Sequence, residues 1–441
     1  MRNRRSRRNR YNHNLDSLKL ISKILVVLII IFFIIFMENF ISFNKKIDIA
    51  LEEKNELQNT NEIAENTENT NILVSSENTN SNTNSTTTFA TTKKSTTINM
   101  TFTGDIMCHN TIYTDAFNKQ SNTYDFSYIF DDIKYFIQTA DIAIGNLETT
   151  FAGSSRGYSS YPTFNTPESL AYTLKKIGFD VLSTANNHCY DKGYSGIEST
   201  INYLDDADIS HTGTFKSEEE QNKILIKNVK GIKIAFLSFT YGTNGIPVPT
   251  DKSYSVNLID KDLIKRQLSL AQDQKPDMIC VSMHWGIEYQ TSPNSEQKDL
   301  ADFLFNNGAD VIIGNHPHVL QNFEKREITL DDGTKKDGFV VYSLGNLLAD
   351  QNKKYTRDSA IMTLNITKDE NNKIKINSVK YTPTYIYKDI SVSTQKFKII
   401  NLNNAIDSYE AGYSPNLSKT TYTTFKTELE NIKKILGDEI K

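Results

Sequence analysis

One unit recurs along this chain from residue 98 onward. A helical stretch with an apolar face leads through a short turn into a run of strand-forming apolar residues, and the run ends in polar ones. "INMTFTGD" ends in Asp105, and "FDDIKYFIQTADIAIGNLE" ends in Asn146 and Glu148. "LAYTLKKIGFDVLSTANNH" ends in Asn187 and His188, and "LIKRQLSLAQDQKPDMICVSMHWGIEY" ends in His284 and Glu288. "LADFLFNNGADVIIGNHPHV" ends in His316 and His318, and "DGFVVYSLGN" ends in Asn346. Continuous apolar strands alternating with helices need a sheet covered on both faces, so the unit restricts this region to an α/β fold. In open α/β sheets, ligands bind beyond the carboxyl ends of the strands. Polar clusters that follow parallel strands are therefore expected to meet at one edge.

The histidines follow the same pattern. Of seven, only His13 and His211 lie away from these strand ends; His109, His188, His284, His316 and His318 lie on or near them. Asn and Asp at such positions also serve as helix caps and turns, the rival use of these residues. Four strand ends that together offer Asp, Glu, Asn and His are harder to explain that way. His, carboxylate and amide oxygen without paired Cys suit Zn, Mn or Fe. In "STANNHCYDKG", Asn187 can give an amide oxygen to a metal, while His188 points at a substrate or at the metal and Asp191 can hold His188 in one tautomer. His316 and His318 straddle Pro317, which predicts an extended segment with both imidazoles on one side.

The ends of the chain read differently. Residues 1–23 hold eight basic groups against one acid, and Ile24 to Met37 is unbroken apolar sequence. With its apolar flanks the run approaches the ~20 residues that a bilayer span needs. It ends in "FMENFISF", without the small residues of a cleavage site, so an uncleaved signal anchor is expected over 20–43, with the basic tail 1–19 inside the cell. The remaining chain carries 41 basic against 52 acidic residues, a balance that argues against a nucleic-acid binder. Residues 44–97 are rich in Asn, Thr, Ser and Glu and too poor in apolar groups to order themselves, so a disordered linker is expected there. The folded domain is then expected over 98–390, and 391–441 as an extension ending in an amphipathic helix, "LENIKKILGDEI". Cys108, Cys189 and Cys280 are odd in number and adjoin apolar runs, which favours buried thiols over disulfides or a thiolate metal site.

"TGDIM", "GNLET", "TANNHCYDKG", "HWGIEY", "GADVIIGNHPHVLQ" and "YSLGN" occur in this order over roughly 98–350. Together they resemble the CapA family of capsule or poly-γ-glutamate synthesis proteins, a branch of the calcineurin-like metallophosphoesterase superfamily. The resemblance implies a four-layered α/β sandwich with a metal site at strand ends. By position it implies Asp105, Glu148, Asn187, His284, His316 and His318 as metal ligands, with His188 as the acid-type histidine. Asn146, Trp285, Glu288 and Asn346 are expected on the substrate side. Two departures stand out. The usual first motif, Asp-x-His, is Asp105-Ile106-Met107 here, with His109 expected outside the ligand shell. Asn146 replaces the usual Asp of the second motif, and Glu148 is expected to reach the metal region in its place.

Three functions follow as expectations. The first is a membrane-anchored, outward-facing component that assembles or exports an anionic capsule polymer such as polyglutamate, with membrane-bound synthesis or export subunits as partners and a metal-dependent hydrolase-like site. The others are a general extracytoplasmic phosphoesterase or nucleotidase, and a scaffold without chemistry. No phosphate-binding P-loop motif is present, so ATP-driven ligation falls to a partner.

Overall fold

The computed structural model describes residues 95–329, 333–414 and 416–437. The expected basic tail and membrane span lie outside them, as does nearly all of the expected linker. Among the described residues, no helix is long and apolar enough to cross a membrane.

Two mixed sheets form the centre. The first runs β16 (Phe397–Asn401), β15 (Ile374–Lys388), β14 (Asp358–Lys368), β1 (Thr96–Ile106), β4 (Ile142–Leu147), β5 (Val181–Ser183) and β6 (Ser210–Thr212), with β13 (Asn346–Leu348) also pairing β1. The second runs β11 (Leu320–Thr329), β12 (Lys335–Leu344), β10 (Val311–Asn315), β9 (Met278–His284), β8 (Ile232–Thr240) and β7 (Leu225–Val229). A two-residue hairpin, β2 (Phe117–Asn118) with β3 (Thr123–Tyr124), stands apart. Pairing is parallel from β13 through β1, β4 and β5 to β6, and from β12 through β10 and β9 to β8. It is antiparallel at β14, β15, β16, β11 and β7.

Side-chain alternation along each strand builds the layers. Met100, Phe102, Ile142, Ile144, Ile234, Phe236, Met278, Cys280, Val311 and Ile313 share one apolar core between the sheets. Their neighbours turn the other way. Ala143 and Leu182 meet Leu170 and Leu174 of helix Ser169–Lys176 in a second core. Ala235, Ile279, Val281 and Ile312 meet Ile264 of helix Lys261–Asp273 and Leu300 of helix Ser295–Asn306 in a third. The order is thus helices, sheet, sheet, helices.

The division expected at 390/391 does not separate two bodies. β16 pairs with β15 across it, and Phe425, Leu429 and Ile432 of helix Lys419–Leu436 enter the core between the sheets. Only non-local pairing gives this segment its place, and strand spacing alone did not reveal it. All three cysteines are free and buried.

Candidate metal centre

Across three neighbouring strands, Asp105 stands beside Asn346 on one side and Asn146 on the other. This close approach needs Gly104, because a Cβ there would lie 2.0 Å from the Gly345 carbonyl oxygen. In the second sheet, His284 stands beside Asn315. Glu148 comes one residue beyond β4, and its backbone N–H donates to the Ile106 carbonyl at 3.1 Å.

These residues close into one buried network. Asn146 Nδ2 donates to Asp105 Oδ1 at 2.8 Å, and Ser183 Oγ donates to Asn146 Oδ1 at 3.3 Å. The His316 backbone N–H donates to Asp105 Oδ2 at 3.3 Å, and His318 Nδ1 lies 3.1 Å from that oxygen. Asn346 Oδ1 is also 3.1 Å from His318 Nδ1, and Asn346 Nδ2 donates to the His318, Thr356 and Gln351 oxygens. His284 Nε2 lies 2.7 Å from Asn187 Oδ1.

Glu148 sits in the middle, fully buried, and neither of its oxygens has a hydrogen-bond donor. His284 Nε2 and His318 Nε2 approach its Oε1 only to 3.6 and 3.7 Å, too far for hydrogen bonds. Burial and the nearby Asp105 carboxylate push the Glu148 carboxyl well above its ordinary range. Burial, reinforced by neighbouring imidazoles, holds His284 well below the usual histidine range and lowers His316 to about 3, so both rings are neutral and present lone pairs. Three sets of potential ligand atoms each lie within 4.8 Å: Glu148, His284 and His316; Asp105, Glu148 and His318; and Glu288, His316 and His318. The donors are oxygen and nitrogen, and a buried carboxylate without donors among neutral imidazoles suits a divalent cation. Glu148 belongs to two of the sets.

Beside the network, Asp191 Oδ2 lies 2.8 Å from His188 Nδ1 and accepts from the Phe164 backbone N–H at 2.6 Å. Phe164 packs its ring edge-on to His188, with centroids 4.7 Å apart. Asn244 accepts from Asn187 Nδ2 at 3.1 Å and stands 3.4 Å from His188 Nδ1, linking the two residues.

Residues 99–351, more than half of the chain, match the family described as bacterial capsule synthesis protein PGA_cap. The chain belongs to this family. The capsule biosynthesis protein CapA of Bacillus anthracis is 31% identical over 272 residues, covering 60% of this chain and 63% of the relative. The chain therefore matches just under two thirds of that relative's length. The PGA biosynthesis protein CapA of Bacillus subtilis (strain 168) is 28% identical over 298 residues, 66% of this chain and 74% of the relative. Among solved structures, the NAD nucleotidase of Haemophilus influenzae aligns with 13% identity and a TM-score of 0.40, covering 77% of this chain and 61% of that one. A Staphylococcus aureus protein described as a putative 5'-nucleotidase aligns with the same identity and TM-score, covering 68% of this chain and 56% of that one. At that level neither carries weight for function.

Within this capsule synthesis fold, the residues expected as ligands, Asp105, Glu148, Asn187, His284, His316 and His318, come together, with His188 and Asp191 beside them. Four other expectations change. Trp285 is not on the substrate side: it packs in the core beneath the second sheet, and its Nε1 donates to the Tyr342 carbonyl at 3.0 Å. Along β9, Cys280 and His284 share one face, so Trp285 must take the other. Asn146 and Asn346 are buried and turn their side chains inward to Asp105 and His318, which leaves them as positioning residues. Glu288 is exposed, and it falls within ligand range of His316 and His318. The segment around Pro317 is a bend, not extended: His316 has φ +98° and His318 φ +58°. Hydrogen bonds to Asp105 and Asn346 hold the two rings near each other, with centroids 5.8 Å apart. His109 accepts from the Asp350 backbone N–H through Nδ1 and belongs to none of the three ligand sets. Sequence reasoning missed Asn244 and Tyr241, which follow a strand without His or carboxylate, and Asn315. The last could have been found, since it shares the inter-sheet face with Val311 and Ile313.

Proposed function

We propose that this capsule synthesis protein holds one or two divalent cations (Zn, Mn or Fe) at the strand-end site and acts on a phosphoester or related bond during assembly or export of an anionic polymer such as polyglutamate. One observation carries the reading. Glu148 is a fully buried carboxylate with no donor on either oxygen, grouped with His284 and His316, whose environment keeps them neutral. Such an arrangement is costly without a cation. Asp105, Glu148, Asn187, His284, His316 and His318 would hold it.

A bound divalent ion supplies Lewis acidity and an acidified water. The chain's own residues supply the rest. Asp191 accepts from Nδ1 of His188, which leaves Nε2 to meet the substrate. In its protonated form His188 gives that proton to the departing oxygen. Phe164 and Asn244 keep the ring in place. Asn146 and Asn346 fix Asp105 and His318, so the oxygens and nitrogens are aimed before anything binds. In the wider reading, residues 20–43 anchor the protein in the cell membrane and the folded domain faces outward, where membrane-bound synthesis or export subunits would meet it. Metal analysis of the purified full-length chain tests the site. Bound Zn, Mn or Fe is expected in the parent and not in Glu148→Gln. A parent that takes up no divalent ion, and gains no thermal stability from added Mn or Zn, would sink the proposal.

A further inference from the structure

The rim of the site carries features that the network beneath it does not need. Tyr241 lies against His316, with ring centroids 4.5 Å apart, and parallel to His284 at 6.3 Å and 9°. Tyr289 lies near His318, with centroids 6.2 Å apart. Both rings lie against candidate ligands, yet 48% of Tyr241 and 37% of Tyr289 remain open to solvent, and Ile287, two residues before Tyr289 in the chain, is 51% exposed. Large apolar surfaces gathered at the mouth of a polar site are informative, unlike scattered ones. Tyr289 also holds φ +67°, a left-handed conformation that bulky residues avoid, and its N–H donates to the Pro317 carbonyl at 2.8 Å. The fold thus keeps this ring at the mouth in a strained backbone. Above the same ring, 6.0 Å from its centroid, stands the Lys353 ammonium.

We propose that Tyr241 and Tyr289 form a stacking subsite for a ring attached to the substrate's phosphate, either a sugar or a nucleobase, with Lys353 drawing the anion toward it. The inference rests on the phosphoester reading above and narrows it. A linear polyglutamate strand has no ring to place there. Aromatic faces suit bases and the flat apolar faces of sugars, while a lysine beside them suits a phosphate.

Calorimetric binding to the full-length, Mn-loaded chain tests this with three probes: uridine monophosphate, glucose 1-phosphate and glycerol 3-phosphate. The first two bring a base or a sugar ring and the third brings none. At least one ring-bearing probe should bind about tenfold more tightly than glycerol 3-phosphate, the size of one stacking contact. Which probe gains the advantage tells base from sugar. The preference should disappear in Tyr289→Ala and Tyr241→Ala and persist in Tyr289→Phe, which keeps the ring and loses the hydroxyl. Metal content is measured for every variant. If an alanine variant loses metal, the parent and Tyr289→Phe still decide. Equal binding of all three probes by the parent, or a preference that survives both alanine substitutions, would overturn the subsite and leave the phosphoester reading standing. Failure of every probe to bind a metal-loaded chain would overturn both.

Discussion

Asp105 and Glu148 are both fully buried carboxylates at the same sheet edge, and the fold treats them in opposite ways. Asp105 accepts from the Asn146 amide and the His316 backbone N–H and meets His318, which Asn346 fixes in turn. Glu148 has no donor, and the imidazole nitrogens of His284 and His318 stand 3.6 and 3.7 Å from it. The Asp105 half is built by the protein itself. The Glu148 half is complete only with a positive charge, since a buried carboxylate without partners raises its pKa or takes up a cation. The difference teaches where the fold is self-sufficient and where it depends on a ligand.

The largest test removes that dependence. Glu148→Gln should abolish metal uptake, read by elemental analysis, while the metal-free domain melts no lower than the parent, because Gln keeps the shape of a side chain whose oxygens have no hydrogen-bond partner there. A clear loss of metal-free stability would mean that Glu148 has a structural role instead. Next, Asn346→Ala attacks the self-sufficient half. His318 loses its orienting amide, and metal affinity measured by competition with a chelator should weaken about 10- to 100-fold, as for other residues that orient ligands. Asn146→Asp turns the satisfied half into a copy of the other. It replaces the 2.8 Å donor to Asp105 with a second carboxylate, and should lower metal-free stability by about 2 kcal/mol in chemical denaturation and tighten metal binding. Unchanged metal-free stability in that variant would break the comparison.

The smallest effect is in pH. The raised pKa of Glu148 means that the folded state holds this proton more tightly than the unfolded one does. The contribution of this one group to the metal-free fold is then fully present below the ordinary value of 4.5 and is lost as pH rises through the raised pKa. Glu148→Gln should flatten the slope, and added metal should offset the loss. Asp358, raised to about 8 by burial first and by Glu428 of the last helix second, adds a separate loss as pH climbs through that value, and Glu428→Gln should remove the smaller part of it. Denaturation midpoints across pH separate the two.

Much of this was legible because strands impose simple rules. Parallel strands carry their last residues to one edge, and a period of two selects the face. The inter-sheet parity of Met278 and Cys280 leads to His284, that of Ile142 and Ile144 to Asn146, and that of Val311 and Ile313 to Asn315. The same parity sends Trp285 into the opposite core, a reading available in the sequence. Asn146 and Asn346 could not be assigned that way. An amide at a strand end can face a substrate or a neighbouring ligand, and only the partner 2.8 or 3.1 Å away distinguishes the two.

By itself, then, the sequence determined the α/β alternation, the strand-end positions of the acids, amides and imidazoles, and the buried thiols, because local pattern and strand direction suffice for these. Tertiary structure alone decided that His316 and His318 take left-handed backbones around Pro317, where hydrogen bonds to Asp105 and Asn346 outweigh the local preference for an extended chain. It also decided that β16 and the last helix close the first sheet and the core between the sheets, and that Glu148 is left without a donor. Each of these depends on residues far apart in the chain, and no local pattern records what a distant strand will bring.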